Sequence, residues 1–169
     1  MMTPNKFVNT IIRPANEALG LGSFEAEQIM LGTALQESNL QNVQQHNGPA
    51  LGYFQDEPID HNDLWKNYLK YHKVLGEKLM SLLPPTVGQD WHCLIMYPLY
   101  AAGVCRLHYL RAPGAIPLDL IGQANYYKAY YNTAGGAATI QEYVNKWNAI
   151  VGVSAIDNWG ALMSPNLGV

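Results

Sequence analysis

The sequence predicts a predominantly helical α+β domain, and three observations carry that expectation. Apolar residues recur at helical spacing through most of the chain. Proline, glycine and N-capping side chains punctuate those runs. One turn-rich stretch, 39–60, instead alternates Leu51, Tyr53 and Gln55, the pattern of a small β-hairpin. With 169 residues the chain suits one domain over 1–169, enough to bury roughly 70% of its unfolded surface.

Taken in order, Thr3 and Pro4 open a first helix as N-cap and first helical residue. Pro14 is expected to break or kink it, and Gly20 and Gly22 to end it. Ser23 caps a second helix running to about Glu37 or Ser38, with Glu25 and Glu27 near its positive end. At 100° per residue, Ala26, Met30, Thr33, Ala34 and Glu37 share one face, while Glu25, Gln28, Gly32 and Gln36 form the expected wetter side. Helical patterns resume at about Asn62–Tyr71 and continue to Leu83, where Pro84 and Pro85 stop them. Asp90 is a candidate cap for the next helix, and Pro98 breaks that helix or begins a longer one to Arg111. After a loop at Pro113 and Pro117, two more helices are expected at about Leu118–Tyr131 and Thr139–Val151. The segment 152–169 is turn-rich and without period, a candidate docking tail outside a core of about 19–151.

Apolar residues make up 49% and charged ones 14%, so the surface leans on Asn, Gln, Ser and Tyr. That balance suits uncharged polar ligands such as sugars. A net charge of -3 and a pI near 5.9 argue against a nucleic-acid partner. Arg106 and Arg111 read as a solvated helix face. Cys93 and Cys105, if both sit on one helical stretch, are too far apart to bridge, and they read as small core residues. With His92 and His108 they match no zinc spacing, so no metal and no cofactor is expected. No export signal and no membrane-spanning segment is read from the sequence.

Glu37 is the residue on which function turns. It sits where a core residue belongs and at a helix C-terminus, where the macrodipole disfavours negative charge. Both effects favour a carboxyl group that keeps its proton and acts as a general acid. Fifteen residues on, Gly52, Tyr53, Phe54 and Gln55 return toward it.

Three blocks, Glu37-Ser38-x-Leu40, Gly48-Pro49-Ala50-Leu51-Gly52-Tyr53-Phe54-Gln55 and Ala129-Tyr130-Tyr131-Asn132-Thr133-Ala134-Gly135, resemble the lysozyme-like soluble lytic transglycosylases. Their order and spacing match over about Leu19–Val151, and small phage-encoded members, with runs similar to Arg106-Leu107-His108-Tyr109-Leu110-Arg111, are especially similar. The resemblance implies a lysozyme-like fold with the hairpin beside the catalytic helix. It implies an enzyme that cleaves the MurNAc-β-1,4-GlcNAc bond of peptidoglycan and leaves a 1,6-anhydro sugar. Glu37 is then the catalytic acid and base. Ser38, Tyr53, Gln55, Tyr130, Tyr131 and Asn132 are the substrate-binding candidates. Tyr131 is the preferred hydroxyl to support Glu37. Thr133 is an insertion relative to the commonest pattern and keeps Tyr130 open for that role. Tyr53 and Phe54 replace an aliphatic pair, as stacking rings or as core.

His46 fits an exposed loop better than a group holding water or sugar. Among Asp56, Glu57, Asp60 and Asp63, one is open as a second carboxylate, while Asp60 and Asp63 are read as helix caps. With no obvious second carboxylate at the site, Glu37 is expected to perform both proton transfers. The partners implied are glycan strands and phage tail or virion proteins, with no membrane partner. The implied location is the virion, with action in the host periplasm or cell wall, either at genome delivery or at lysis. A muramidase that adds water, or a virion structural protein with an inactive lysozyme-like fold, are the alternatives.

Overall fold

The computed structural model describes residues 2–132 and 137–165. The first helix, α1, spans 4–19, with the Thr3 hydroxyl accepting from Lys6 N and Pro4 in its first turn. Pro14 does not end it. The register widens to a π-helical segment at Val8–Ile12 and returns to α at Arg13–Leu19, which absorbs the hydrogen bond that proline withholds. Gly20, at φ 70, closes the helix in the left-handed conformation.

Helix α2, Phe24–Ser38, is the axis of the molecule. Ser23 caps it as expected, accepting from Ala26 N. Its expected wet side is buried at Gln28 and Gly32, where α1 and three later helices pack around it, while Glu25 and Gln36 are half-buried. A Cβ at Gly32 would meet the Tyr143 hydroxyl at 1.8 Å, so only glycine admits that ring. Gln28 is satisfied by accepting from Gln123 Nε2 and donating to the Ile156 carbonyl.

The stretch after α2 is not a β-hairpin. It is a succession of turns with two isolated antiparallel bridges, Gln44–Leu51 and Leu51–Asp56. Gly52 and Gln55 both adopt positive φ, 73 and 48, so the chain reverses between Leu51 and Asp56 instead of extending. Gly52 lies against the Leu94 carbonyl, which a Cβ would approach to 2.2 Å.

Helix α3 (58–69) comprises Pro58–Asp63 and a π-helical Leu64–Leu69. Then come α4 (Lys73–Met80), the short α5 (Cys93–Met96) and α6 (Pro98–Arg111). Pro98 thus begins the long helix, and Asp90 accepts from His92 N just before α5. Helix α7 (120–132) joins Leu120–Tyr127 to a π-helical Lys128–Asn132. Helix α8, Ile140–Ile150, starts on a capping box between Thr139 and Glu142. Among the described residues no helix is long and apolar enough to cross a membrane. Cys93 and Cys105 are both buried and free.

Two expectations need correction here. The segment after 151 is part of the core: Ala155, Trp159 and Met163 are buried, and Trp159, on the short α9 (Trp159–Leu162), stacks on Trp147 at 5.8 Å. Residues 4–18 belong to the same core, so its bounds exceed 19–151. Arg106 is also not solvated. It is buried, and its Nε donates to the Leu21 carbonyl.

The two ends of the chain meet on α2 at Glu27. This buried carboxylate accepts from Arg13 Nε at 2.7 Å and Nη2 at 2.9 Å, and from Trp159 Nε1 at 2.7 Å. The carboxylate raises the Arg13 pKa through these hydrogen bonds, against the opposing effect of burial. Arg13→Met is expected to cost about 3–5 kcal/mol by leaving a buried charge without its cation. Adding Glu27→Leu is expected to recover most of that loss in urea denaturation.

Candidate functional site

Glu37 lies in the last turn of α2, half-buried on the wall of a cleft of about 730 Å³. The helix ends at Asn39, in the left-handed conformation, and the Ser38 hydroxyl locks that end. It donates to the Ala34 carbonyl at 3.0 Å and to the Tyr53 carbonyl at 2.7 Å. Ser38 is therefore a clip between α2 and the following turns and does not line the cleft. Lys146 reaches over from α8 to donate to the Gln36 carbonyl at 3.3 Å, placing a cation at the negative helix end.

The hydroxyl that supports Glu37 belongs to Tyr127. It donates to Glu37 Oε1 at 2.6 Å from the last α-helical position of α7. Tyr131 donates instead to the Phe54 carbonyl at 2.9 Å, and stacks between Tyr109 and Tyr127. The π-helical segment 128–132 separates the two tyrosines by a widened turn, so they reach different targets. Tyr130 is 44% exposed on the cleft wall, with its ring edge-on to Tyr126. Asn132 lines the cleft next to Tyr127, and its Oδ1 accepts from Lys128 Nζ. Thr133, Ala134 and Gly135 lie outside the described residues.

Burial raises the Glu37 pKa above its ordinary value, with the Tyr127 hydrogen bond and the Lys146 charge opposing. The same environment pushes Tyr127 upward, through burial first and then the Glu37 charge, so its phenol remains a donor. The result is a carboxyl group biased toward its protonated form, with one oxygen fixed by a neutral hydroxyl.

Gln55 lines the cleft, but its amide nitrogen is spent on the Val43 and Gly52 carbonyls at 2.8 and 2.7 Å. Its role is to brace the turn. Tyr53 is not a stacking platform for ligand. Its ring packs edge-on against Phe7 at 4.9 Å, and Phe54 is buried beside it. His46 is exposed and is not part of the cleft lining.

The expectation that no second carboxylate stands at the site is overturned. Asp56, Glu57 and Asp60 line the same cleft as Glu37, together with His108. Asp56 is buried and accepts at 3.2 Å from His108 Nε2 when that nitrogen is protonated. Burial works against the imidazolium, but the charge and hydrogen bond of Asp56, helped by Asp60, raise His108 above its ordinary pKa. Partial burial and then the Asp56 charge raise the Asp60 carboxyl. Asp60 stands in the first turn of α3, where Glu57 is the N-cap, and Asp63 pairs with Arg111 at 2.8 Å, so neither caps the helix.

Comparison of the chain with protein-family models, curated proteins and solved structures gives no match in any of the three. The site therefore rests on its own geometry. Sequence reading missed Tyr127, Lys146 and the His108 pairing. Tyr127 alone had a readable signal, one helical turn before Tyr131 on the same face.

Glu37 also sets a pH dependence of stability. Its folded pKa lies above the unfolded one, so its contribution is complete below the ordinary glutamate range and is lost as pH rises through the raised value. Glu37→Gln removes that loss. Its melting temperature is expected to exceed that of the wild type by a margin that widens from acidic to neutral pH, read by calorimetry across the range.

Proposed function

We propose that this protein is a peptidoglycan-degrading lytic transglycosylase of lysozyme-like fold, cleaving the MurNAc-β-1,4-GlcNAc bond with formation of 1,6-anhydroMurNAc. The observation that carries the reading is Glu37: a half-buried carboxyl at a helix end, raised in pKa, held by Tyr127 and facing a cleft lined by polar and aromatic groups.

In this reading Tyr127 fixes Oε1, and the transferable proton resides on Oε2. Protonated Glu37 gives that proton to the bridging oxygen as the glycosidic bond lengthens and the sugar gains oxocarbenium character. The carboxylate left behind is stabilised by the Tyr127 hydroxyl and the Lys146 charge. It then takes a proton from the muramic C6 hydroxyl, which closes on the anomeric carbon. Tyr130 and Asn132 are positioned to contact the sugar chain. The resemblance to phage-encoded enzymes supports a virion-associated or lysis role, with tail proteins as partners and the host cell wall as the place of action.

A second reading, hydrolysis by a muramidase, draws on one specific observation: Asp56, Glu57 and Asp60 share the cleft with Glu37. A carboxylate there, positioning water, delivers a reducing end instead of an anhydro ring. Mass spectrometry of digested peptidoglycan separates the two: anhydro ends support transglycosylation, and reducing ends replace it with hydrolysis.

Glu37→Gln is expected to keep the fold and lower wall-clearing activity by about 10²–10⁴-fold or more. Clearing that persists undiminished removes Glu37 as the acid. Tyr127→Phe deletes the hydrogen bond that lowers the Glu37 pKa, so the alkaline limb of the pH–rate profile is expected to move to higher pH. Tyr131→Phe is expected to leave that limb in place.

A further inference from the structure

Arg106 is a buried cation without an anion. It lies on α6 and is 9% exposed, and its Nε donates to the Leu21 carbonyl at 3.2 Å. Among the described residues, no carboxylate lies within ion-pair distance of it. Arginines with this little exposure are ordinarily paired with a carboxylate. Burial accordingly lowers the pKa of this guanidinium.

Arg106 lines a cavity of about 380 Å³ that shares no residue with the Glu37 cleft. Ser23 and Glu25 form one side, and Leu110, Ile116 and Leu118 contribute apolar surface. Ser23 is the N-cap of the fifteen-residue α2, with its hydroxyl and carbonyl taken by Ala26 N and Glu27 N. The first-turn N–H groups of Phe24 and Glu25 have no partner within the helix, which gives this end its positive character. A helix N-terminus and an unneutralised guanidinium thus border one cavity.

We infer that this cavity binds a small organic carboxylate. Its head group pairs with Arg106 beside the start of α2, and its apolar body lies against Leu110, Ile116 and Leu118. A planar guanidinium matches a carboxylate in two parallel hydrogen bonds. The volume suits a small ligand rather than a bare ion. Glu25, on the same wall, opposes an anion and sets the affinity low.

The test is calorimetric titration of the intact protein with benzoate, compared with acetate and inorganic phosphate at matched ionic strength. Benzoate is expected to bind at a single saturable site, roughly tenfold or more tighter than acetate because of its added apolar surface. Arg106→Gln is expected to abolish that binding, and Glu25→Gln to tighten it. Ala115→Trp fills the cavity from an exposed loop position and is expected to block it. Should Arg106→Gln fail to fold, the wild-type titration and Ala115→Trp decide. Absence of saturable benzoate binding, equal affinity for all three anions, or binding that survives Ala115→Trp overturns the proposal. Weakening by Glu25→Gln overturns it too, since Glu25 would then be aiding the site.

Discussion

Glu27 and its three hydrogen bonds are the interaction on which the arrangement depends. A carboxylate in the middle of an otherwise apolar packing is tolerable only with full compensation. Here the compensation comes from α1 through Arg13 and from the C-terminal segment through Trp159. The middle of the central helix, residues 26–35, can therefore be buried on every side, because the Glu27 charge is neutralised inside the protein instead of being turned to water.

The other end of the same helix solves the opposite problem. Glu37 receives a phenol and a lysine one step removed, not a bidentate arginine. A neutral donor compensates less than a guanidinium does, so desolvation outweighs it and the Glu37 pKa is raised. One helix thus carries two carboxyl groups with contrasting environments: one is bound by a bidentate arginine and an indole, the other by a single phenol with its pKa raised. The placement of the second is fixed by the Ser38 clip and the Asn39 cap.

Much of this was legible in the sequence where the cause is local. The caps at Thr3 and Ser23, the end at Gly20, the helix begun at Pro98 and the helix starting near Thr139 are short-range chemistry and stand where the sequence put them. Glu37 was legible because its place on a helical face is a matter of angle. The rest depended on facts that spacing does not hold. Alternation of Leu51, Tyr53 and Gln55 reads as a strand, but positive φ at Gly52 and Gln55 makes it a reversal. Tyr131 matched a motif, yet a π-helical turn gives the neighbouring tyrosine the contact with Glu37. Glu27 reads as a dipole-friendly first-turn residue, and only tertiary packing shows that it is a hub. Arg106 reads as solvated because arginines usually are. The resemblance directed attention to Glu37 and assigned its supporting hydroxyl to Tyr131, whereas Tyr127 makes that hydrogen bond.

The Glu27 hub also has a kinetic meaning. Its bond to Trp159 joins residues 132 positions apart, and Asn5 closes a still longer loop onto the Leu162 and Ser164 carbonyls. Contacts of such separation are formed only after the entropy of closing the intervening chain has been overcome. Until they form, Glu27 lacks its indole donor and α2 lacks part of its cover. Full enclosure of the central helix therefore waits on the docking of the C-terminal segment against it.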